Sequence, residues 1–219
     1  MKNLTKLIVL TALLMSFALS AKVFCDAESD CFYVPAGLKN SGKYFPALII
    51  LSCTGATERD LNSVLYIADS LGMVFATSHK SKNHRDIFLN DKDIMNTYEK
   101  LVRDYPVDGA QVFIYGFSGQ GVQALMELFH NPKIFRGVIA VCAHKETISM
   151  AKWQELDDKS LYLISREKDW NLGDNKQMHN LFHFNNIQDT LVITPGEHMA
   201  ATPRELFNAC FWLLNKIKH

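Results

Sequence analysis

Short apolar runs alternate along this chain with segments whose apolar residues recur every three or four positions, the pattern of strands joined by crossover helices. Phe32-Tyr33-Val34 and the run Ala47 to Leu51 read as the first strands, with Gly42 and Pro46 in the connection between them. Thr57-Glu58-Arg59-Asp60 has the form of a capping box, after which Leu61, Val64, Leu65, Ala68 and Leu71 keep one helical face until Gly72 ends it. Met73 to Thr77 is a strand. Ile94, Tyr98, Leu101, Val102 and Tyr105 mark the next helix, stopped by Pro106. The strand Val112 to Tyr115 follows, and Val122, Leu125, Met126 and Phe129 lay the apolar face of another helix on the sheet. Gly137 to Cys142, Leu161 to Ser165 and Leu191 to Thr194 read as the last strands. Thr202-Pro203-Arg204-Glu205 combines a cap, a proline at the first helical position and a glutamate to close the box, so it starts a final helix. The expected fold is α/β, with a mostly parallel sheet and helices on both faces.

Only Ala143 to Lys159 lies between two of these strands, room for one short helix around Ile148 to Leu156. No large lid is expected, so a site at this end of the sheet should be open. At the other extreme of the chain, Lys2 and Lys6 precede an apolar run from Leu7 to Leu19, and Ala18-Leu19-Ser20 offers small residues for cleavage after Ser20 or Ala21. Residues 1–20 therefore read as a signal peptide and residues 21–219 as one domain. The apolar run is shorter than the ~20 residues that span a bilayer. The expectation is a secreted or periplasmic protein without stable membrane insertion once the leader is removed.

With 219 residues and 48% of them hydrophobic, the chain can bury a core without disulfide staples. Its formal net charge is zero, which gives no electrostatic reason for a nucleic-acid or anionic-membrane partner. The five cysteines leave at least one unpaired within the chain. Cys25 and Cys31 flank a short polar turn and are the expected disulfide. Cys53, Cys142 and Cys210 stand in apolar surroundings that predict buried, inert thiols.

Gly116-Phe117-Ser118-Gly119-Gln120-Gly121 carries the chemistry, because it follows an apolar strand and opens an amphipathic helix. Small residues around the serine allow a sharp turn that lifts its hydroxyl above the sheet, and the helix start aims free N–H groups at an oxyanion beside it. The usual pattern is G-x-S-x-G; here Gln120 stands two places after the serine and the glycine comes at Gly121. An acid and a histidine follow later in the chain, each on a loop after a strand. Asp169 lies in the polar loop after Leu161 to Ser165, and His198 in the loop after Leu191 to Thr194. All three groups lie beyond the carboxyl ends of strands, where open parallel sheets build their sites.

On these segments the chain resembles the α/β-hydrolase superfamily, and within it small single-domain esterases similar to dienelactone hydrolases, feruloyl esterases and polyhydroxybutyrate depolymerases. The resemblance implies Ser118 as nucleophile, His198 as base and Asp169 as its partner, with acyl transfer to water through a covalent intermediate and no metal or organic cofactor. It also implies an oxyanion hole from the Gly119 N–H and a second N–H after the strand Ala47 to Leu51. Where many relatives carry His-Gly, this chain has Ser52-Cys53, so position points to the Thr54 N–H, with Cys53 as the alternative.

The polar loop from Ser78 to Asn90 is expected to border the pocket, and Arg85 or Lys82 could meet an acidic group of a substrate. Its His79, His84 and Asp86 form a conceivable metal set, but ligands on one loop without a second cluster make a metal-free site the expectation. Trp170, beside the proposed acid, is expected to line the cleft. Small or extended soluble esters fit such a site. The same groups also serve a serine peptidase or a thioesterase, and a secreted binding protein that lost activity is the non-enzyme alternative.

Overall fold

The computed structural model describes residues 22–39 and 41–216. The leader 1–20 and its cleavage site lie outside them. One eight-stranded sheet organises the rest, with strands β1 (Phe24–Cys25), β2 (Cys31–Tyr33), β3 (Phe45–Ile50), β4 (Val74–Thr77), β5 (Val107–Phe117), β6 (Phe135–Val141), β7 (Ser160–Arg166) and β8 (Gln188–Thr194). Their order is β1-β2-β4-β3-β5-β6-β7-β8. β1 and β2 pair antiparallel, as do β2 and β4; every other neighbouring pair is parallel.

Strand alternation decides which helices cover which face. Ala47, Ile49 and Leu51, with Val112 and Ile114, pack on one side, whereas Leu48, Ile50, Phe113 and Tyr115 pack on the other. The first face is covered by α3 (Ile87–Asp104), α4 (Gly119–His130) and α5 (Leu172–Phe184), through Ile94, Leu101, Leu125, Phe129, Met178 and Phe182. The second is covered by α1 (Glu58–Asn62), α2 (Leu65–Leu71) and α6 (Pro203–Lys216), through Leu61, Ile67, Leu206, Ala209 and Leu213.

Local signals explain most boundaries. Thr57 and Asp60 close the capping box of α1, and Gly72 ends α2 in the left-handed region at φ 66°. Thr202 and Glu205 form a box around the start of α6, with Glu205 Oε2 accepting the Thr202 N–H at 2.7 Å.

β1 precedes the strands that the sequence marks, and four further elements differ from the expectation. The helix expected from Thr57 to Leu71 breaks at Ser63–Val64, where the Ser63 hydroxyl takes the Asp60 carbonyl at 2.7 Å and competes with the helical ladder. β5 begins at Val107, well before the apolar run that marks it, because Val107 pairs with Phe45 of β3 and a register shift takes up the residues between it and Val112. The expected helix around Ile148 to Leu156 is two 3-10 turns, Glu146–Met150 and Trp153–Glu155. α5 was not anticipated. Only Asn175, Met178 and Phe182 of its residues are buried, and the first is polar, so its apolar stripe is too thin to read from sequence. Cys25 and Cys31 are disulfide-bonded as expected.

Candidate active site

β5 delivers Ser118 to the end of the sheet, and the turn into α4 is sharp enough to place this serine at φ 55° and ψ −125°. A side chain rarely adopts that backbone, which costs on the order of 1–3 kcal/mol and persists only where its surroundings enforce it. Here the enforcement is close packing. A Cβ on Gly116 would lie 1.9 Å from the Gln120 carbonyl oxygen, so strand and helix meet where only glycine fits. Gln120 itself is buried and accepts the Ser81 hydroxyl at 2.7 Å, which gives its departure from the usual motif a structural role.

His198 lies on the loop after β8, 2.8 Å from the Ser118 Oγ through Nε2 and 3.0 Å from Asp169 Oδ2 through Nδ1. With Nδ1–H donating to the carboxylate, Nε2 is left to accept from the serine hydroxyl. The Asp169 carboxylate is buried, and its other oxygen accepts the Asn171 N–H at 2.6 Å. Backbone bonds tie the two loops together: Glu167 N–H to Thr194 O and Lys168 N–H to Gly196 O, each 3.0 Å. Three other acids of this region are placed differently. Glu167 and Asp157 are exposed, and Asp174 meets Lys145.

Several further residues pack around this arrangement. Arg166, at the end of β7 and 1% exposed, reaches under the His198 loop to the Ala200 carbonyl at 2.7 Å, to Thr194 and to Glu205. Burial pushes the Glu205 carboxyl up, but hydrogen bonds from Arg166 and Thr202 outweigh it and hold the group down at about 2. Phe117 packs against the His198 ring with centroids 4.9 Å apart. Cys142, at φ 51° just beyond β6, turns its thiol toward Asp169 and to 3.5 Å from the Met199 carbonyl. Burial first, and the Asp169 carboxylate second, push this thiol up to about 12.

The turn after β3 is closed by the Gly55 N–H to Ser52 O at 3.0 Å, with Thr54 exposed on it. Cys53 is half-buried, against the expectation of a fully buried thiol, because its S–H reaches the Phe117 carbonyl at 3.3 Å beside the start of α4. Its pKa is raised by burial, with the Gln120 N–H and Asn83 acting the other way. Asn83 bridges the turn and the start of α4: its N–H donates to Cys53 O at 2.9 Å, and its Oδ1 would lie 2.6 Å from a Cβ on Gly119.

A cavity of about 320 Å³ opens beside the site, lined by Ser52, Cys53, Val64, Phe117, Ala201 and Leu206 among others. Arg85 lines a second depression on the other side of Gly119, but its guanidinium is already engaged by Asp93 at 2.6 Å and Asn90 at 3.0 Å. Trp170 stacks on His198, its ring centroid 3.8 Å away. The three residues of the conceivable loop metal set are used separately. His79 Nδ1 lies 3.0 Å from Ala56 O, Asp86 caps α3 through the Phe88 and Leu89 N–H groups, and His84 is exposed.

The model of the prolyl oligopeptidase family matches residues 69–203, more than half of the 219. The chain belongs to the prolyl oligopeptidase family. It is a serine hydrolase with the α/β-hydrolase fold. No curated protein matches it in sequence. Among solved structures, an S-formylglutathione hydrolase from Staphylococcus aureus is 14% identical and superimposes with a TM-score of 0.69 over 89% of this chain and 98% of its own. A ferulic acid esterase is 15% identical, with a TM-score of 0.64 over 89% of this chain and 96% of its own. Dipeptidyl peptidase 4 of Porphyromonas gingivalis is 16% identical, with a TM-score of 0.62 over 89% of this chain and 35% of its own. This member of the prolyl oligopeptidase family thus shares its fold with an S-formylglutathione hydrolase, an esterase and a dipeptidyl peptidase alike, and among the described residues no helix is long and apolar enough to cross a membrane.

Proposed function

We propose that this prolyl oligopeptidase family chain is an exported carboxylic ester hydrolase that works through Ser118, His198 and Asp169 and an acyl-enzyme intermediate. The observation that carries the reading is the unbroken row of hydrogen bonds, 3.0 Å from Asp169 to His198 and 2.8 Å from His198 to a serine on a strained turn. His198 takes the Ser118 proton as the hydroxyl attacks the ester carbonyl, then passes it to the departing alcohol. Water repeats the sequence on the acyl-enzyme, and Asp169 stabilises the imidazolium in both halves. N–H groups of Gly119 and Thr54 hold the oxyanion, each contributing ~3 kcal/mol to lowering the barrier.

The cavity bounded by Val64, Phe117 and Leu206 receives the apolar part of the substrate, and Trp170 forms an exposed wall of the cleft. Export fits the Cys25–Cys31 disulfide, which persists in oxidising compartments. Amide cleavage is the second reading, favoured by the family match.

A fluorophosphonate probe tests the mechanism and a substrate panel tests the class. The probe should label the protein and spare Ser118→Ala, whose circular dichroism stays unchanged. Short p-nitrophenyl esters should be turned over faster than matched thioesters and peptide amides. Unaltered turnover by Ser118→Ala, or activity abolished by EDTA and restored by zinc, would sink the serine mechanism; faster amide cleavage would favour the second reading.

A further inference from the structure

Cys142, Asp169 and His198 each present a ligand atom within 4.8 Å of the other two. The proposed reaction uses the acid and the histidine and leaves the cysteine idle. A thiolate, a carboxylate and an imidazole are the ligand types of a zinc ion, which binds them at about 2.0–2.3 Å. Ligand atoms around such an ion stand about 3.5 Å apart, so the thiol and the ring need to shift by only about 1 Å to share it. We propose that Cys142 Sγ, Asp169 and His198 Nδ1 form an inhibitory site for a thiophilic divalent cation, zinc above all.

Three features of the structure converge on this site. The cysteine is not an incidental core residue, because its backbone is held in the left-handed region at φ 51° by Cys142 N–H to Ile164 O and Asn171 Nδ2 to Cys142 O, at 2.8 and 2.9 Å. That conformation turns the thiol toward Asp169. The Asp169 carboxylate is already pinned by the Asn171 N–H, so one oxygen is preset. The Met199 carbonyl, 3.5 Å from the sulfur, is a further oxygen beside the thiol. Above the group runs the His198 loop, whose Met199 and Ala200 are exposed, so a single stretch of chain separates it from solvent.

The inhibition has a specific chemical form. On binding, the cation displaces the thiol proton to solvent, forms a bond to sulfur and takes the lone pair of Nδ1. The ring then carries its proton on Nε2, the nitrogen 2.8 Å from Ser118. A protonated Nε2 cannot accept the serine proton, and hydrolysis stops without displacement of Ser118. The site is read from its own ligand geometry, and only its inhibitory effect rests on the proposed function of His198.

Zinc sulfate and cobalt(II) chloride are the probes, added to the full chain. In the wild type, zinc should stop ester hydrolysis and fluorophosphonate labelling, and EDTA should restore both. Cys142→Ala should hydrolyse the ester without zinc and need at least tenfold more zinc for half-inhibition, whereas Cys53→Ala should respond to zinc as the wild type does. Should Cys142→Ala not fold, Cys142→Ser, whose hydroxyl can face the Met199 carbonyl in place of the thiol, carries the same comparison. Cobalt should produce a thiolate-to-metal charge-transfer absorption in the wild type that Cys142→Ala lacks. Equal zinc sensitivity in wild type and Cys142→Ala, loss of sensitivity in Cys53→Ala, or no cobalt absorption would overturn the site. Because the absorption needs no turnover, a protein that shows it yet neither labels nor hydrolyses overturns the proposed reaction and leaves the metal site standing.

Discussion

The indole of Trp170 lies flat on the imidazole of His198, with centroids 3.8 Å apart and planes 20° from parallel. Trp170 is nonetheless 74% exposed, so burial is not what keeps it there. The stack restricts the histidine ring to the plane in which it meets both Ser118 and Asp169. In the proposed reaction that makes Trp170 a positioning residue for His198.

Stacked aromatic pairs contribute about 1 kcal/mol, equivalent to about fivefold in a rate. Trp170→Ala should therefore lower kcat for p-nitrophenyl ester hydrolysis about fivefold with KM little changed, and Trp170→Phe should restore most of it. A raised KM at unchanged kcat would mean that Trp170 serves the substrate alone.

The choice of acid is equally open to test. Asp169→Asn keeps the shape of the side chain but favours the wrong histidine tautomer, a change worth about 10⁴-fold in kcat in triads of this kind. Asp174→Asn should stay close to the wild type, since Asp174 faces Lys145. Near-full activity in Asp169→Asn together with a collapse in Asp174→Asn would reassign the acid.

Gly119 and Asn83 give a paired test of the oxyanion hole. A Cβ at position 119 would stand 2.6 Å from Asn83 Oδ1, so Gly119→Ala must push the N–H away from its place. Losing one such donor costs about 10²–10³ in kcat. Gly119→Ala should lose about 10²-fold, and adding Asn83→Ala should recover part of it by making room. No loss in the single variant would remove Gly119 from the oxyanion hole.

The brace under the His198 loop sets a stability prediction. Glu205 is held at about 2 by Arg166 and Thr202, below its ordinary 4.5. A carboxyl depressed by folding stabilises the protein fully above its unfolded value and loses that contribution as pH falls through the folded one. Urea unfolding should therefore show a stability advantage of wild type over Glu205→Gln that is full at pH 7 and shrinks as the pH is lowered from about 4.5 toward 2. At pH 7 the substitution leaves the buried Arg166 without its counter-charge, at a cost of about 3 kcal/mol. A difference that did not change with pH would show that the charge of Glu205 is not what holds the loop.

What the sequence determined by itself was local. A strand buried on both faces is a continuous apolar run, so β3, β4, β6 and β7 are legible to within two residues at each end, and the caps at Thr57 and Thr202 mark helix starts because a cap reaches only three residues along the chain. The Gly116 to Gly121 turn is legible for the same reason: the clash that demands glycine lies between Gly116 and Gln120, four residues apart. Polar β5 residues and the thinly apolar α5 carry no such signal, since their conformation follows from the sheet and core they join. Only the tertiary structure decided which groups surround Ser118. Cys142 faces Asp169 because β6 and β7 pair in one register, and Arg166 reaches Glu205 because α6 folds back beneath the loop that carries His198. Those distances span tens of residues of chain, and no local periodicity encodes them. They are set when the two apolar faces of the sheet are packed and each strand end is fixed against its neighbour.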